Sequence, residues 1–190
     1  INNTAYYSGG GIKIDYCSAR LIDVLISGNE TTGSGGGGGI YFYYGGSNHR
    51  PFLKNVTITN NSSGDDGGGY RSIATHVDMI DCIIKNNTAG NGGGVSIEGL
   101  GGSSMIGTHI TVENVVFSGN HANGNGGGYH LEEDFISTLL RDVTFANNSA
   151  GGSGGGISIP GMGHYAVVAN SIFWNNSPND VDGMVIPFYS

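Results

Sequence analysis

Positive charge is scarce in this chain: seven Lys and Arg face fifteen Asp and Glu in 190 residues, a net charge of −8. Nucleic acids and anionic membranes are recognised through a basic face, so this balance argues against both as partners. No apolar run approaches the roughly 18 residues of a bilayer-spanning helix, and nowhere do apolar residues recur at helical or heptad spacing. There is no initiator Met and no signal peptide, and Ile1 already stands in the first corner of a repeat (Ile1, Asn2, Asn3, Thr4). The chain is therefore expected to be a processed product or a segment of something longer.

What is abundant is glycine, with 37 residues, and an asparagine that closes a short strand seven times, at Asn3, Asn29, Asn61, Asn87, Asn120, Asn148 and Asn176. Its intervals of 26, 32, 26, 33, 28 and 28 mark a repeat whose unit cannot bury its apolar face alone. Three positions before it stand Ile26, Ile58, Ile84, Phe117, Phe145 and Phe173; five before it, Val24, Val56, Cys82, Val115, Val143 and Ser171. Eight before it come Leu21, Leu53, Met79, Val112, Leu140 and Val168. After it, a Gly-rich run leads to a second strand that begins at Ile12, Ile40, Tyr70, Val95, Tyr129 and Ile157. Two residues on, that strand reads Ile14, Phe42, Ser72, Ile97, Leu131 and Ile159, the period of two that sends alternate side chains inward.

With two or three short strands per unit and no loop long enough for a crossover helix, the predicted fold is all-β. It is a single parallel β-solenoid of about six to seven rungs, stacked about 4.8 Å apart into a rod roughly 29 Å tall. Residues 1–179 are expected to carry the repeats, and 180–190, where the pattern breaks, to form a C-terminal tail or end cap. Asparagine suits the corner because it tolerates left-handed backbone and passes amide hydrogen bonds from rung to rung. Runs such as Gly35 to Gly39 and Gly126 to Gly128 let the backbone take positive φ and approach its neighbours closely.

Chemistry-bearing residues are sparse. Cys17 and Cys82 fall two rungs apart, roughly 10 Å or more, beyond the ~7 Å a disulfide bridges. Cys82, in the valine column, reads as a small buried hydrophobe and Cys17 as unpaired; no Cys or His completes a metal-ligand set, and no cofactor is implied. Six positions before the corner asparagine, Asp23, Asn55, Asp81, Asn114, Asp142 and Asn170 alternate, as expected of a second corner ladder in which Asn separates mutually repelling Asp. Asp65 and Asp66, in a Gly-rich turn, and Glu132, Glu133 and Asp134 read as solvated acidic surface. The six histidines, His49, His76, His109, His121, His130 and His164, occupy unrelated offsets and suggest no catalytic grouping. Alternation over Ile40 to Tyr43 sends Tyr41 and Tyr43 outward as a candidate platform for a sugar ring or a protein partner. Asn-x-Ser/Thr sequons cluster at the corners, and Asn2, Asn29, Asn86, Asn147 and Asn175 are the candidate acceptors for N-linked glycans.

The phrases VTFANNSA (Val143 to Ala150), GGGISI (Gly154 to Ile159) and NSIFWNNS (Asn170 to Ser177) resemble the right-handed parallel β-helix repeats of the pectin-lyase-like superfamily. Within it the likeness is to the Gly-Gly, Phe and Asn repeats of bacterial surface proteins, such as polymorphic outer-membrane adhesins and large anchored proteins. The resemblance covers essentially the whole chain. It implies right-handed coiling and an extracellular or cell-surface location, and it transfers no active site, because one scaffold hosts many functions.

The function expected on these grounds is that of a non-enzymatic structural or adhesive rod, part of an extracellular filament, stalk or surface protein. Head-to-tail stacking of copies is the self-association it suggests, since terminal rungs expose unpaired strand groups. The alternative is a polysaccharide lyase or glycoside hydrolase, which requires outward carboxylates with Arg50, Arg71 or Arg141 on neighbouring rungs. An ice- or crystal-binding face, hinted at by Thr57, Ile58 and Thr59, is a third reading, and it fails on regularity, because the matching column reads Leu25, Thr57, Ile83, Val116, Thr144 and Ile172.

Overall fold

The computed structural model describes residues 1–46, 50–99, 108–132, 136–161 and 163–187. Among them there is no helix; short strands, repeated turn after turn, form four parallel sheets, as a single parallel β-helix of about six turns. Sheet I is built from the two-residue strands Thr4–Ala5, Glu30–Thr31, Ser62–Ser63, Thr88–Ala89, His121–Ala122 and Ser149–Ala150. Sheet II contains Ile12–Asp15, Ile40–Gly46, Tyr70–Thr75, Val95–Glu98, Tyr129–Glu132, Ile157–Ile159 and Val181–Gly183. Sheet III contains Arg20–Ile22, Phe52–Lys54, Val77–Ile80, Thr108–Glu113, Ile136–Arg141, Tyr165–Ala169 and Val185–Pro187. Sheet IV contains Leu25–Ser27, Thr57–Thr59, Ile83–Lys85, Val116–Ser118, Thr144–Ala146 and Ile172–Trp174. Each turn visits II, III, IV and I in that order, and each strand pairs with its counterpart one turn away.

The core follows from the columns. Leu53, Met79, Val112 and Leu140 from sheet III, and Ile58, Ile84, Phe117 and Phe145 from sheet IV, are buried together with Ile40, Tyr70, Val95, Tyr129 and Ile157 from sheet II. In register, Phe117, Phe145 and Phe173 stack with ring centroids 4.6 and 5.0 Å apart, so identical side chains repeat the same packing on successive turns. At the far end, Val181–Gly183 and Val185–Pro187 add a further strand to sheets II and III.

Left-handed backbone recurs at several corners of each turn, including the two that flank sheet IV. Between sheets III and IV, Asp23, Asn55, Asp81, Asn114, Asp142 and Asn170 all have φ between 48° and 57°. There the amides of Asn55 and Asn114 donate to Asp23 and Asp81 at 2.6 and 2.7 Å. Between sheets IV and I, the left-handed residue is the one before the recurrent asparagine: Asn2, Gly28, Asn60, Asn86, Gly119, Asn147 and Asn175. The left-handed conformation expected at the ladder asparagine therefore sits one residue earlier. At Gly28 and Gly119 glycine also makes room, for a Cβ would fall 2.2 and 2.5 Å from the side-chain oxygens of Asn2 and Asn86 on the turn before.

The recurrent asparagine, in ordinary backbone conformation, turns its side chain into the rod. Asn29, Asn61, Asn87, Asn120 and Asn148 are at most 1% exposed. The Oδ1 of Asn87 accepts from both the backbone N–H and the Nδ2 of Asn61 at 2.9 and 3.0 Å. Its Nδ2 donates to Asn120 Oδ1 at 3.0 Å and back to the carbonyl of Ile58 at 3.1 Å. The forward donation to Oδ1 runs from Asn3 to Asn176, and from Asn61 onward Nδ2 also donates back to a carbonyl of the sheet IV strand one turn behind. Beyond Asn176 the acceptor is Asp180 Oδ1 at 2.8 Å.

Replacing Asn87 by Ala removes four hydrogen bonds and leaves the Asn61 N–H buried without a partner, so unfolding free energy falls by about 3–5 kcal/mol in urea titrations. Asn3→Ala removes one side-chain bond at a solvated end and is expected to cost about 1 kcal/mol in the same assay.

Candidate functional site

The outer face of sheet II concentrates the titratable groups of the rod. Strand register aligns Lys13, Tyr41, Arg71, Ser96, His130, Ser158 and Asp182 in one outward column, with Asp15, Tyr43, Ile73, Glu98 and Glu132 beside it. An outward column on a bare rod is solvated, yet Arg71, Ser96, His130 and Ser158 are 8, 0, 3 and 0% exposed. Asp66 and His164 are buried as well.

Arg71 organises this face. Its guanidinium donates to Asp65 Oδ2 at 2.6 Å and to Glu98 Oε2 at 3.0 Å, and lies 3.9 Å from Asp66 Oδ2. Burial alone would lower its pKa, but the hydrogen bond to Glu98 and the charges of Asp66 and Asp65 outweigh burial and raise it. Asp66 is fixed from the next turn by the Asn91 N–H at 2.8 Å. That contact begins a second side-chain ladder in which Asn91 and Asn125 accept from the backbone of Asn125 and Ser153.

Two groups are displaced far from their usual titration range. Burial, followed by the charges of Asp66 and Glu98, pushes the Glu132 carboxyl up to about 7, with Arg71 opposing and a hydrogen bond to Asp66 adding to the rise. Burial also brings His130 down to about 4, the charge of Asp66 opposing and that of His164 assisting. At neutral pH the site therefore holds a neutral His130 imidazole, a Glu132 carboxyl about half protonated, and one guanidinium against the three acidic side chains of Asp65, Asp66 and Glu98. Four buried polar atoms on consecutive turns, Arg71 Nε, Ser96 Oγ, His130 Nδ1 and Ser158 Oγ, have no hydrogen-bond partner among the described residues. Nor do three His, Cys, Asp or Glu side chains among the described residues form a metal-ligand set.

Part of one turn of this rod is similar to a known repeat. Residues 142–160, running from the left-handed Asp142 through the Asn147–Asn148 corner and the Gly-rich turn into sheet II, match the family model of the Chlamydia polymorphic membrane protein repeat. No curated protein and no solved structure matches the chain.

The remaining residues singled out in the sequence are distributed as follows. Asp65 and Asp66 meet Glu132 through Arg71 and the hydrogen bond named above, although 66 residues separate Asp66 from Glu132. The solvated reading of Asp66 is thereby corrected: the turn at Gly67 folds it against the following rung, at 7% exposure. Glu133, Asp134 and His49 lie outside the described residues. Tyr41 and Tyr43 stack with centroids 6.2 Å apart, but Tyr41 is only 8% exposed, against 37% for Tyr43. The expected pair of exposed rings is thus one ring, because Tyr41 is flanked in register by Lys13 and Arg71.

Among the sequon asparagines, Asn2, Asn86, Asn147 and Asn175 are exposed corner residues. Asn29 is a correction: it is a ladder residue, 1% exposed, whose Nδ2 is engaged by Asn61 Oδ1 at 2.9 Å. Of the other histidines, His76 and His109 stack at 5.8 Å, and His121 Nδ1 lies 2.9 Å from Ser149 Oγ. Both cysteines are free, Cys17 exposed and Cys82 buried.

The two shifted groups tilt stability in opposite directions. Glu132 has a folded pKa above its ordinary 4.5, so its contribution is fully present below about pH 4.5 and is lost as pH rises through about 7. His130 has a folded pKa below its ordinary 6.5, so its contribution is present above that value and is lost as pH falls towards about 4. Thermal melts across this range should show Glu132→Gln removing the loss on the neutral side and His130→Gln the loss on the acid side. A thiol reagent under native conditions should label Cys17 promptly and Cys82 only on unfolding, since burial both shields the Cys82 thiol and raises its pKa.

Proposed function

We propose that this chain is a stretch of a surface-displayed, adhesin-like repeat protein of the polymorphic outer-membrane type, acting as a stiff non-enzymatic rod. The observation that carries the reading is the match at residues 142–160, because the features of that turn recur along the chain. The corner asparagine, the glycine pair beside it and the left-handed residue before it appear on turn after turn. A wider relation to the pectin-lyase-like superfamily, and the right-handed coiling that goes with it, belong to the same reading.

The outer face of sheet IV favours a partner-facing role. Leu25, Ile83, Val116 and Ile172 stand exposed in one register column, interrupted by Thr57 and Thr144, with Trp174 nearby at 69% exposure. Exposed apolar residues gathered on one face mark surfaces that meet other molecules. Glycans on Asn2, Asn86, Asn147 and Asn175 would decorate a single corner of such a rod. Stacking of copies into a filament would have to displace Asp180 from the amide of Asn176.

The enzymatic alternative draws on one specific observation, the grouping of Arg71 with Asp65, Asp66 and Glu98 on adjacent turns. Against it, the Arg71 side chain is 10% exposed and its terminal nitrogens are already bound to carboxylates, which leaves no approach for a polymer.

In a cell that expresses the whole protein, antibodies against this segment should label intact cells, and external protease should abolish the labelling. Beads coated with the purified segment should adhere to host-cell monolayers. Signal seen only after permeabilisation would refute the surface reading, and cleavage of acidic polysaccharides by the purified segment would refute the non-enzymatic one.

A further inference from the structure

The outer face of sheet III holds a groove of about 440 Å³, on the opposite side of the first corner from the apolar column of sheet IV. Its floor is a grid fixed by strand register. The strand Thr108–Glu113 supplies His109 and Thr111, Ile136–Arg141 supplies Ser137, Leu139 and Arg141, and Tyr165–Ala169 supplies Tyr165, Val167 and Ala169. One column is therefore His109, Ser137 and Tyr165; the middle column is Thr111, Leu139 and Val167; the third sets Arg141 beside Ala169. With strands about 4.8 Å apart and outward residues about 6.8 Å apart along each strand, the grid measures roughly 10 by 13 Å.

Its chemistry is asymmetric. The centre is aliphatic, and Leu139 and Tyr165 are 36 and 38% exposed rather than covered. The small Ala169 deepens the floor beside Arg141. Along one edge the His109 ring and the Ser137 hydroxyl hold each other at 2.6 Å. At the other edge stands Arg141, the one Lys or Arg among the described lining residues, 47% exposed and bound to Glu113 through one nitrogen at 2.9 Å. A guanidinium presents five donors in a fork suited to carboxylates, so one ion pair leaves capacity for a second anion.

We propose that this groove binds a compact organic carboxylate, its apolar body lying on Leu139, Val167, Ala169 and the Tyr165 ring and its carboxylate on Arg141. The volume lies in the range of small-ligand sites, which are mostly apolar with a few placed polar groups. A cationic ligand would meet Arg141 at like charge, and a neutral apolar one would gain nothing from it. Chain-terminal carboxylates of peptides and free organic acids share this chemistry. The inference goes beyond the surface reading and does not depend on it.

N-acetyl-leucine titrated into the ¹⁵N-labelled chain should shift the amides of residues 109–111, 137–141 and 165–169, with a Kd in the millimolar range expected for about a dozen non-hydrogen atoms. N-acetyl-leucinamide, of the same shape without the charge, should bind about tenfold more weakly, the loss of roughly one charge-assisted contact. Arg141→Gln should bring the acid down to the level of the amide, whereas Val167→Ser should weaken both, each variant keeping the wild-type spectrum elsewhere. Tighter binding by a tripeptide ending in leucine would identify a peptide C-terminus as the source, and equal binding a free acid. Equal affinity for acid and amide in the wild-type chain, shifts outside these strands, or no shifts would overturn the proposal.

Discussion

A buried side-chain amide must have its hydrogen bonds met, and in this rod each ladder asparagine depends on the turns beside it for them. Its oxygen is satisfied by the preceding rung, and its nitrogen by the next rung and by a carbonyl behind it. Leaving any of these unmet costs about 1–3 kcal/mol per group, as much as a sizeable apolar contact. The ladder therefore sets rung spacing and register together, because a slip of one residue would strand several amides at once. The glycine pairs answer to the same constraint. A Cβ on Gly39, Gly69 or Gly94 would sit about 3 Å from the amide of the ladder asparagine one turn on, and one on Gly38, Gly68 or Gly93 would collide with backbone carbonyls. Asparagine and Gly-Gly are two halves of one packing arrangement.

This arrangement explains what could be read in the sequence. The ladder residues and the inward columns repeat at fixed offsets, so Ile58, Phe117 and Leu140 could be assigned inward from spacing alone. The corner conformation was legible only to within one residue: asparagine was recognised as the turn residue, but it is Asn60, Asn86 and Asn147 that are left-handed, not Asn61, Asn87 and Asn148. Both members of the pair are asparagine, so composition cannot separate the amide that adopts positive φ from the amide that is buried. The alternation of Asn with Gly at the first position, and never at the second, is the signal that distinguishes them.

The face of sheet II was not legible, for a different physical reason. Its outward column occupies the position between the two inward ones and reads Lys13, Tyr41, Arg71, Ser96, His130, Ser158 and Asp182, with no residue type held from one turn to the next to draw attention. Periodicity reveals what every turn needs in common, and a site is made of what differs between turns. Asp66 and Glu132 lie 66 positions and two turns apart, yet coiling brings them to one network around Arg71. Whole-chain charge was similarly silent about locality: the groove on sheet III carries a cation that the net value of −8 conceals.

The ladder also has a direction. From Asn3 to Asn176 the amide nitrogens donate forward and the oxygens accept from behind, until Asp180 supplies the last acceptor. Any turn inserted with the same asparagine finds a donor on one side and an acceptor on the other, whatever its outward residues. Tandem duplication of a coding segment one turn long can thus lengthen such a molecule without redesigning its interior, leaving the outward columns free to diversify.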